Sequence, residues 1–361
     1  MESNELIVGC KVLVSSIQND TVITRKAEVV AIRNTGGAIE YYMHYTGFNK
    51  RLDQWVSQEK VDMSSIEFPK KKKQKEDPKN KNISAEDIYR VKNIDQIEIG
   101  EYSVESWYFS PYPKTMNKTI IICEYCLYYF NTKEELQTHY STCVHKRPPG
   151  RQIYRKGGIS FFELDGIIHK NYCRNLSLLS KLFLDHKTLF YDIDVFLFYA
   201  MCIYNPEDPE ETREYKVVGY FSKEKESQHG YNIACLLVLP HYQRKGYGKI
   251  LIDFSYLLSK RERVSASPEK PLSDLGLLSY REYWIGVISH ILIYNRLISI
   301  NGIRDMSSIT VEDIIHTLQY NNMLVYYNGV PAIVLRDDLI AKYSEPRGVQ
   351  LDPDYLLWEA Q

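Results

Sequence analysis

The 361-residue chain balances 45 lysines and arginines against 46 aspartates and glutamates, and 44% of its residues are hydrophobic, enough for packed cores in two or three domains. Its longest apolar run, Val195 to Tyr204, is far too short to span a bilayer, and the polar start Met1-Glu2-Ser3-Asn4-Glu5 does not read as a signal peptide. Seven cysteines with no evident disulfide framework fit a reducing compartment, so the expectation is a soluble intracellular protein without membrane association.

Residues 5–64 alternate apolar and polar positions in short stretches, Cys10 to Val14, Ala27 to Ile32 and Ile39 to Tyr45, separated by Asn34, Gly36, Gly37 and Gly47. This pattern predicts a small all-β barrel. Its aromatics Tyr42, Tyr45 and Trp55 suit either the barrel core or a cation–π cage for methyl-lysine. Residues 65–85 form a linker whose stretch Pro69 to Asn82 is rich in lysine and lacks apolar periodicity. That stretch reads as a nuclear localisation signal, a phosphate-backbone contact or a solvated spacer.

Within 118–147, Cys123-Glu124-Tyr125-Cys126 is followed after twelve residues by His139 and after three more by Cys143. A Cys-x-x-Cys knuckle and a helix carrying His and Cys on one face supply four ligands for tetrahedral Zn2+. Two unrelated pairs of thiols are the alternative. Lys133 to Thr138 reads as the start of the helix, with Phe130 and Leu136 as the small core. No basic base-reading face accompanies the finger, which argues against DNA readout.

A strand-like run, Ile233 to Leu239, leads into Gln243-Arg244-Lys245-Gly246-Tyr247-Gly248-Lys249 and then an apolar helical pattern, Ile250 to Leu258. Two glycines let backbone N–H groups approach a ligand, and the helix N-terminus adds positive partial charge, so the segment reads as a pyrophosphate cradle. The spacing is neither that of a Walker loop nor of a dinucleotide fingerprint. What remains is the strand-loop-helix with which acyl-CoA N-acetyltransferases grip coenzyme A, or else an ordinary basic turn. Downstream, Ser267-Pro268-Glu269-Lys270-Pro271 brackets one carboxylate with prolines. A lysine amine with a pKa of about 10.4 must lose a proton before attacking a thioester, and Glu269 is the candidate base, with a solvated turn glutamate as the other reading. Trp284 to Asn295 has an apolar helical pattern. Ser308 to Asp313 then reads as a capped helix start, and Met323 to Leu335 as a hairpin around Asn328-Gly329, which together suggest a winged-helix-like part over 286–361.

Taken together, Tyr220-Phe221-Ser222-Lys223-Glu224-Lys225-Glu226-Ser227, Ala234-Cys235, the 243–249 loop and the segment Ser267 to Gly276 resemble the catalytic core of MYST-type histone acetyltransferases. The resemblance runs upstream through Glu105 to Pro113 and covers roughly 86–361, while Tyr42 to Val56 is similar to chromo-barrel domains. It implies an α/β acetyl-CoA N-acyltransferase core over 180–285, a zinc-finger subdomain and a chromo-barrel in front; the winged-helix-like part, of a type that often binds DNA but here with few basic residues on its second helix, reads as a wall for the peptide substrate. The resemblance further implies Glu269 as catalytic base and Cys235 as active-site cysteine. Acetyl-CoA is expected on Leu236, Leu237, Val238, Gln243, Arg244, Lys245, Gly246, Tyr247, Gly248 and Lys249, with Ser273 as a further contact, and Lys187 in Leu182 to Thr188 as a self-acetylated residue. Relatives usually carry a serine near the coenzyme where this chain has Glu282, whose carboxylate would repel phosphate, so Glu282 stays outside the expected site. Cys235 reads as either a small buried hydrophobe or a nucleophile, leaving direct attack by lysine and an acetyl-cysteine intermediate as the two mechanisms, with direct attack favoured.

The expected partners are histone tails, nucleosomes and the subunits of a multiprotein complex in the nucleus, with non-specific DNA or RNA contact through barrel and linker. The competing readings are a chromatin-binding module with an inactive domain, a non-histone protein acetyltransferase and a small-molecule N-acetyltransferase. Intact Gln243, Gly246, Gly248 and Glu269 speak against the first, and the barrel and linker against the last.

Overall fold

The structure, a computed structural model, describes residues 6–18, 21–35, 38–48, 53–69, 91–143, 146–185, 187, 192–345 and 351–359, so the lysine-rich stretch from Lys70 on lies outside the described residues, while residues 65–67, expected to open the linker, belong to the strand Val61–Glu67. The chain divides into two compact units, one of Met1–Ile121, Phe130–Lys133 and Leu178–Lys187, the other of Ile122–Tyr129, Glu134–Ser177 and Thr188–Gln361.

In the first unit, β1 (Lys11–Gln18), β2 (Thr21–Thr35), β3 (Ala38–Tyr45), β4 (Gln54–Ser57) and β5 (Val61–Glu67) form one sheet in the order β4-β3-β2-β1-β5. The two-residue period sends Cys10, Val12 and Val14 inward to meet Ala27, Val29, Tyr41, Met43, Tyr45 and Val56, while Leu13 faces out. A register shift between Val29 and Ala31 bends the long β2. The three aromatics form no open cage. Tyr42 and Tyr45 are buried, the Tyr45 hydroxyl accepts from Gln54 Nε2 at 2.9 Å, and the Arg33 guanidinium stacks on Trp55 at 4.1 Å. The barrel-core reading therefore holds for Tyr45 alone; Tyr42, on the opposite face of β3, is buried outside the barrel core with its ring 5.3 Å from that of Trp55, and Trp55 already has an internal cation. The same unit continues through β6 (Gln96–Ile99), β7 (Tyr102–Glu105) and β8 (Thr119–Ile122), neighbours in the order β7-β6-β8.

Further on come β9 (Tyr129–Phe130), α1 (Lys133–Tyr140), β10 (Arg151–Lys156), β11 (Ile159–Asp165), α2 (Lys170–Lys181), β12 (Phe196–Ile203) and β13 (Lys216–Glu224). Then follow β14 (Tyr231–Ile233), β15 (Cys235–Val238), α3 (Tyr247–Glu262), β16 (Ser267–Pro268) and α4 (Asp274–Tyr294). The second unit is organised by an antiparallel sheet, β10-β11-β12-β13-β15. α3 covers one face of it. Phe254 stacks on Phe161 with ring centroids 3.7 Å apart and meets Tyr154, Tyr199 and Phe221, so burying this one side chain contributes about 2–3 kcal/mol. α4 locks onto α3 through Trp284 Nε1 donating to the Tyr256 hydroxyl and the Tyr283 hydroxyl donating to Asp253, both at 2.9 Å.

The chain continues through α5 (Ile300–Ser307), α6 (Val311–Tyr320), the hairpin of β17 (Leu324–Tyr327) and β18 (Val330–Ile333), and α7 (Asp337–Tyr343). The expected helices, at Trp284 to Asn295 and from Ser308, and the expected hairpin are present as α4, α6 and β17–β18, but the short helix α5 between them was not expected. α4 is one unbroken helix that begins ten residues before Trp284, because the side chain of Ser273 caps it. No helix among the described residues is long and apolar enough to cross a membrane.

Candidate active site and metal centre

At Ala234 the chain changes partner. Upstream, β14 runs parallel to β16; downstream, β15 pairs antiparallel with β13, Ser222 facing Cys235 and Gly219 facing Val238. Glycine is required at 219, where a Cβ would lie 2.5 Å from the Leu237 carbonyl oxygen. β15 ends its sheet, so its far edge has no strand partner among the described residues. Leu239 donates inward to Val218 O at 2.9 Å and Cys235 to Ser222 Oγ at 3.3 Å, so antiparallel alternation aims the amide groups of Leu236 and Val238 at the free edge. Gln243 Nε2 already occupies Val238 O at 3.0 Å. The free edge suits an extended ligand with amides of its own.

The loop that follows is built for an anion. Arg244 and Gly246 are both left-handed, with φ of 62° and 88°, and Gly246 is the N-cap of α3, whose first turn leaves N–H groups without intrahelical acceptors. A non-glycine residue in that region is uncommon and marks local strain, a feature no sequence pattern announced at Arg244. At Gly248 the nearest atom to an added Cβ would be Val238 Cγ2 at 3.9 Å, so the surface there is open. Lys245 Nζ lies 5.3 Å above the Tyr242 ring. Ser273 Oγ accepts the Gly276 N–H at 3.1 Å, which leaves its hydroxyl proton to donate elsewhere.

Glu269 stands next to this edge. Its N–H donates to Ile233 O at 2.8 Å, two residues before Cys235, and the adjoining Lys270 ammonium is held by Asp313 at 3.3 Å and Glu312 at 3.7 Å. The side chain faces solvent, yet partial burial and the negative charge of Glu224 push its pKa above the usual glutamate value, the direction a base working near neutrality needs. Cys235 is half-buried. Lys187, in the other unit, is buried at 7% exposure. Glu282, left outside the expected site, is paired with two lysines. Set aside because its carboxylate would repel phosphate, it has that charge met by Lys249 of the loop at 3.4 Å and by Lys342 at 3.0 Å.

The metal centre is assembled by a knuckle and a helix. Leu127, left-handed at φ 62°, donates to Cys123 O, and Cys123 N–H donates to Tyr128 O, which folds Cys123 and Cys126 toward one point. Beyond α1 the helical bonding carries on from His139 O to Cys143 N–H at 2.8 Å, placing both side chains on one face. The four ligand atoms lie within 4.8 Å of one another, with Cys126 Sγ 3.3 Å from His139 Nε2. Three thiolates and one imidazole at this spacing fit tetrahedral Zn2+. Phe130 and Leu136 are both half-buried.

Comparison with known proteins agrees with this geometry. The sequence model of the MOZ/SAS family matches residues 147–356, that of the MYST family zinc finger domain matches 91–143, and one described as the RNA binding activity-knot of a chromodomain matches 6–63. The chain is 40% identical to a protein of Yarrowia lipolytica named histone acetyltransferase ESA1, over 99% of this chain and 90% of that one. It is 38% identical to the Saccharomyces cerevisiae protein of the same name, over 99% and 93%. To the putative MYST-like histone acetyltransferase 1 of Oryza sativa it is 43% identical over 88% and 77%. With the family matched across its larger unit and such relatives along nearly its whole length, the chain belongs to the MOZ/SAS family.

Proposed function

We propose that the chain is a nuclear histone acetyltransferase, moving acetyl from acetyl-CoA to lysine side chains of nucleosomal histones as the catalytic subunit of a multiprotein complex. The observation that carries this reading is one junction. A raised-pKa carboxylate, a free strand edge and an anion-binding helix end meet around Ala234 and Gly246. In this reading Leu236, Leu237 and Val238 align the pantetheine arm, and Gln243 to Lys249, with Ser273, hold the phosphates. Glu269 takes a proton from the substrate ammonium, the freed nitrogen attacks the thioester carbon, the C–S bond breaks and coenzyme A leaves as its thiol. A backbone N–H beside the edge steadies the oxyanion, and positioning supplies much of the rate. Cys235 lines the path and need not carry the acetyl group. Zn2+, when bound, supplies folding free energy at Cys123, Cys126, His139 and Cys143 and takes no part in the transfer.

Replacing Glu269 by Gln is expected to leave acetyl-CoA affinity unchanged and to lower turnover on a histone peptide ~100-fold or more near pH 7. Full activity in that variant would remove Glu269 from the mechanism. Lys187 is proposed as a self-acetylated lysine, since a buried ammonium is relieved of desolvation when neutralised. Mass analysis of purified protein should find acetyl there, absent in the Glu269→Gln variant; an unmodified Lys187 in active enzyme would refute this.

A further inference from the structure

α4 presents Glu282, Gly286, His290 and Tyr294 at four-residue intervals, hence on one stripe. α7 lies along that stripe. The Tyr343 ring occupies the space left by Gly286, where a Cβ would come within 3.2 Å of Tyr343 Cε1. The Tyr343 carbonyl is 3.4 Å from His290 Nδ1, and the Tyr294 hydroxyl donates to Ser344 O at 3.0 Å. At the end nearest the loop, Glu282 Oε1 lies 3.0 Å from Lys342 Nζ and 3.4 Å from Lys249 Nζ, and accepts the Tyr343 hydroxyl at 3.1 Å. Lys342 Nζ also donates to Oε2 at 3.3 Å. Since Lys249 belongs to the first turn of α3, this carboxylate draws a cation from the C-terminal α7 onto the anion-binding helix end.

One carboxylate against two ammoniums leaves a net charge of +1. The lysine side chains remain 53% and 41% exposed, so both are able to turn toward an incoming anion. Exposed ion pairs are weak, which suits a tether that must release its cation to a ligand. We propose that Lys342 is a further binding residue for the phosphate groups of coenzyme A and that Glu282 is its positioning residue, gathering Lys342 beside Lys249 at the mouth of the cradle. The inference rests on the reading that those phosphates lie at residues 243–249. A surface lysine ordinarily gives up rotamer freedom when it grips a phosphate, and a lysine already gathered gives up less.

The test compares donors on the full-length chain. Lys342→Ala is expected to raise the KM for acetyl-CoA ~5- to 10-fold, the scale of one charge-assisted contact, with kcat within ~2-fold. It should leave kcat/KM for S-acetylpantetheine, which has no phosphate, unchanged, and Lys342→Arg should restore the KM. In a Glu282→Ala background the Lys342→Ala effect should shrink below ~2-fold, because positioning acts through that lysine. Equal loss with both donors would mean that Lys342 only docks α7, and would overturn the proposal, as would an unchanged KM. An undiminished effect in the Glu282→Ala background would overturn the positioning role. Lys249→Ala separates the two levels: if it raises the KM and Lys342→Ala does not, only this inference fails, whereas if neither does, the loop reading fails as well.

Discussion

Glu269 is held by its backbone and tuned by its surroundings, since the Ile233 carbonyl fixes the main chain while partial burial and Glu224 act on the carboxylate. A base must be unprotonated to work, so activity falls as pH drops through its pKa. Because that pKa is raised, by burial first and by Glu224 second, the acid limb of the kcat/KM profile should lie above the ordinary glutamate range, and Glu224→Gln should move it part of the way down toward that range. A limb unmoved by Glu224→Gln would exclude that charge as the cause. Cys235→Ala should lose less turnover than Glu269→Gln; isolation of an acetyl-cysteine competent for transfer would reverse the preference for direct attack. Gln243, Gly246, Gly248 and Glu269 were legible in the sequence because glycine and proline advertise backbone geometry locally. Glu282 was not, because one of the charges that neutralise it, Lys342, lies 60 residues further along the chain. Arg244 was not, because its left-handed backbone is imposed by the loop and not by arginine.

Among the elements, the finger depends most on something outside the polypeptide. Helix α1 is eight residues long with none buried, too short to persist alone, so the fold of 123–143 rests on the metal. Chelating Zn2+, or changing Cys126 to Ser, should unfold or aggregate this segment, because structural zinc is worth roughly 10 kcal/mol or more of folding free energy. An unchanged melting curve in the metal-free protein would contradict this. Other elements followed from their own caps and turns. Thr310 Oγ1 accepts the Asp313 N–H at 3.3 Å to start α6, and Asn328 and Gly329, at φ 50° and 80°, make the hairpin turn that their residue types predict. The first ten residues of α4 were hidden in the sequence, because apolar residues there fall on more than one face, Leu275 and Leu278 exposed beside buried Tyr280 and Tyr283, so no single apolar stripe marks the helix. The split of one apolar run into β14 and β15 was hidden too, since the change of partner at Ala234 is decided by β13 and β16.

At the scale of the molecule, the proposed base and acetyl-CoA contacts all lie beyond residue 230, and the sequence carries seven lysines between Lys70 and Lys81, for which contact with the substrate's nucleic acid is proposed. Replacing those seven by glutamine should leave acetylation of free histone peptides intact, weaken acetylation of nucleosomes and flatten its salt dependence, since every lysine that neutralises a DNA phosphate adds roughly one unit to the slope of log affinity against log salt. Identical salt profiles would assign the linker to nuclear import or protein partners instead. The central claim, that this chain acetylates histone lysines from acetyl-CoA, is tested most directly by incubating the full-length protein with reconstituted nucleosomes and isotope-labelled acetyl-CoA, then locating the label by mass spectrometry. The account predicts label on ε-amines of histone-tail lysines, lost with Glu269→Gln; label that never reaches histone lysines, or that reaches them undiminished in that variant, would contradict it.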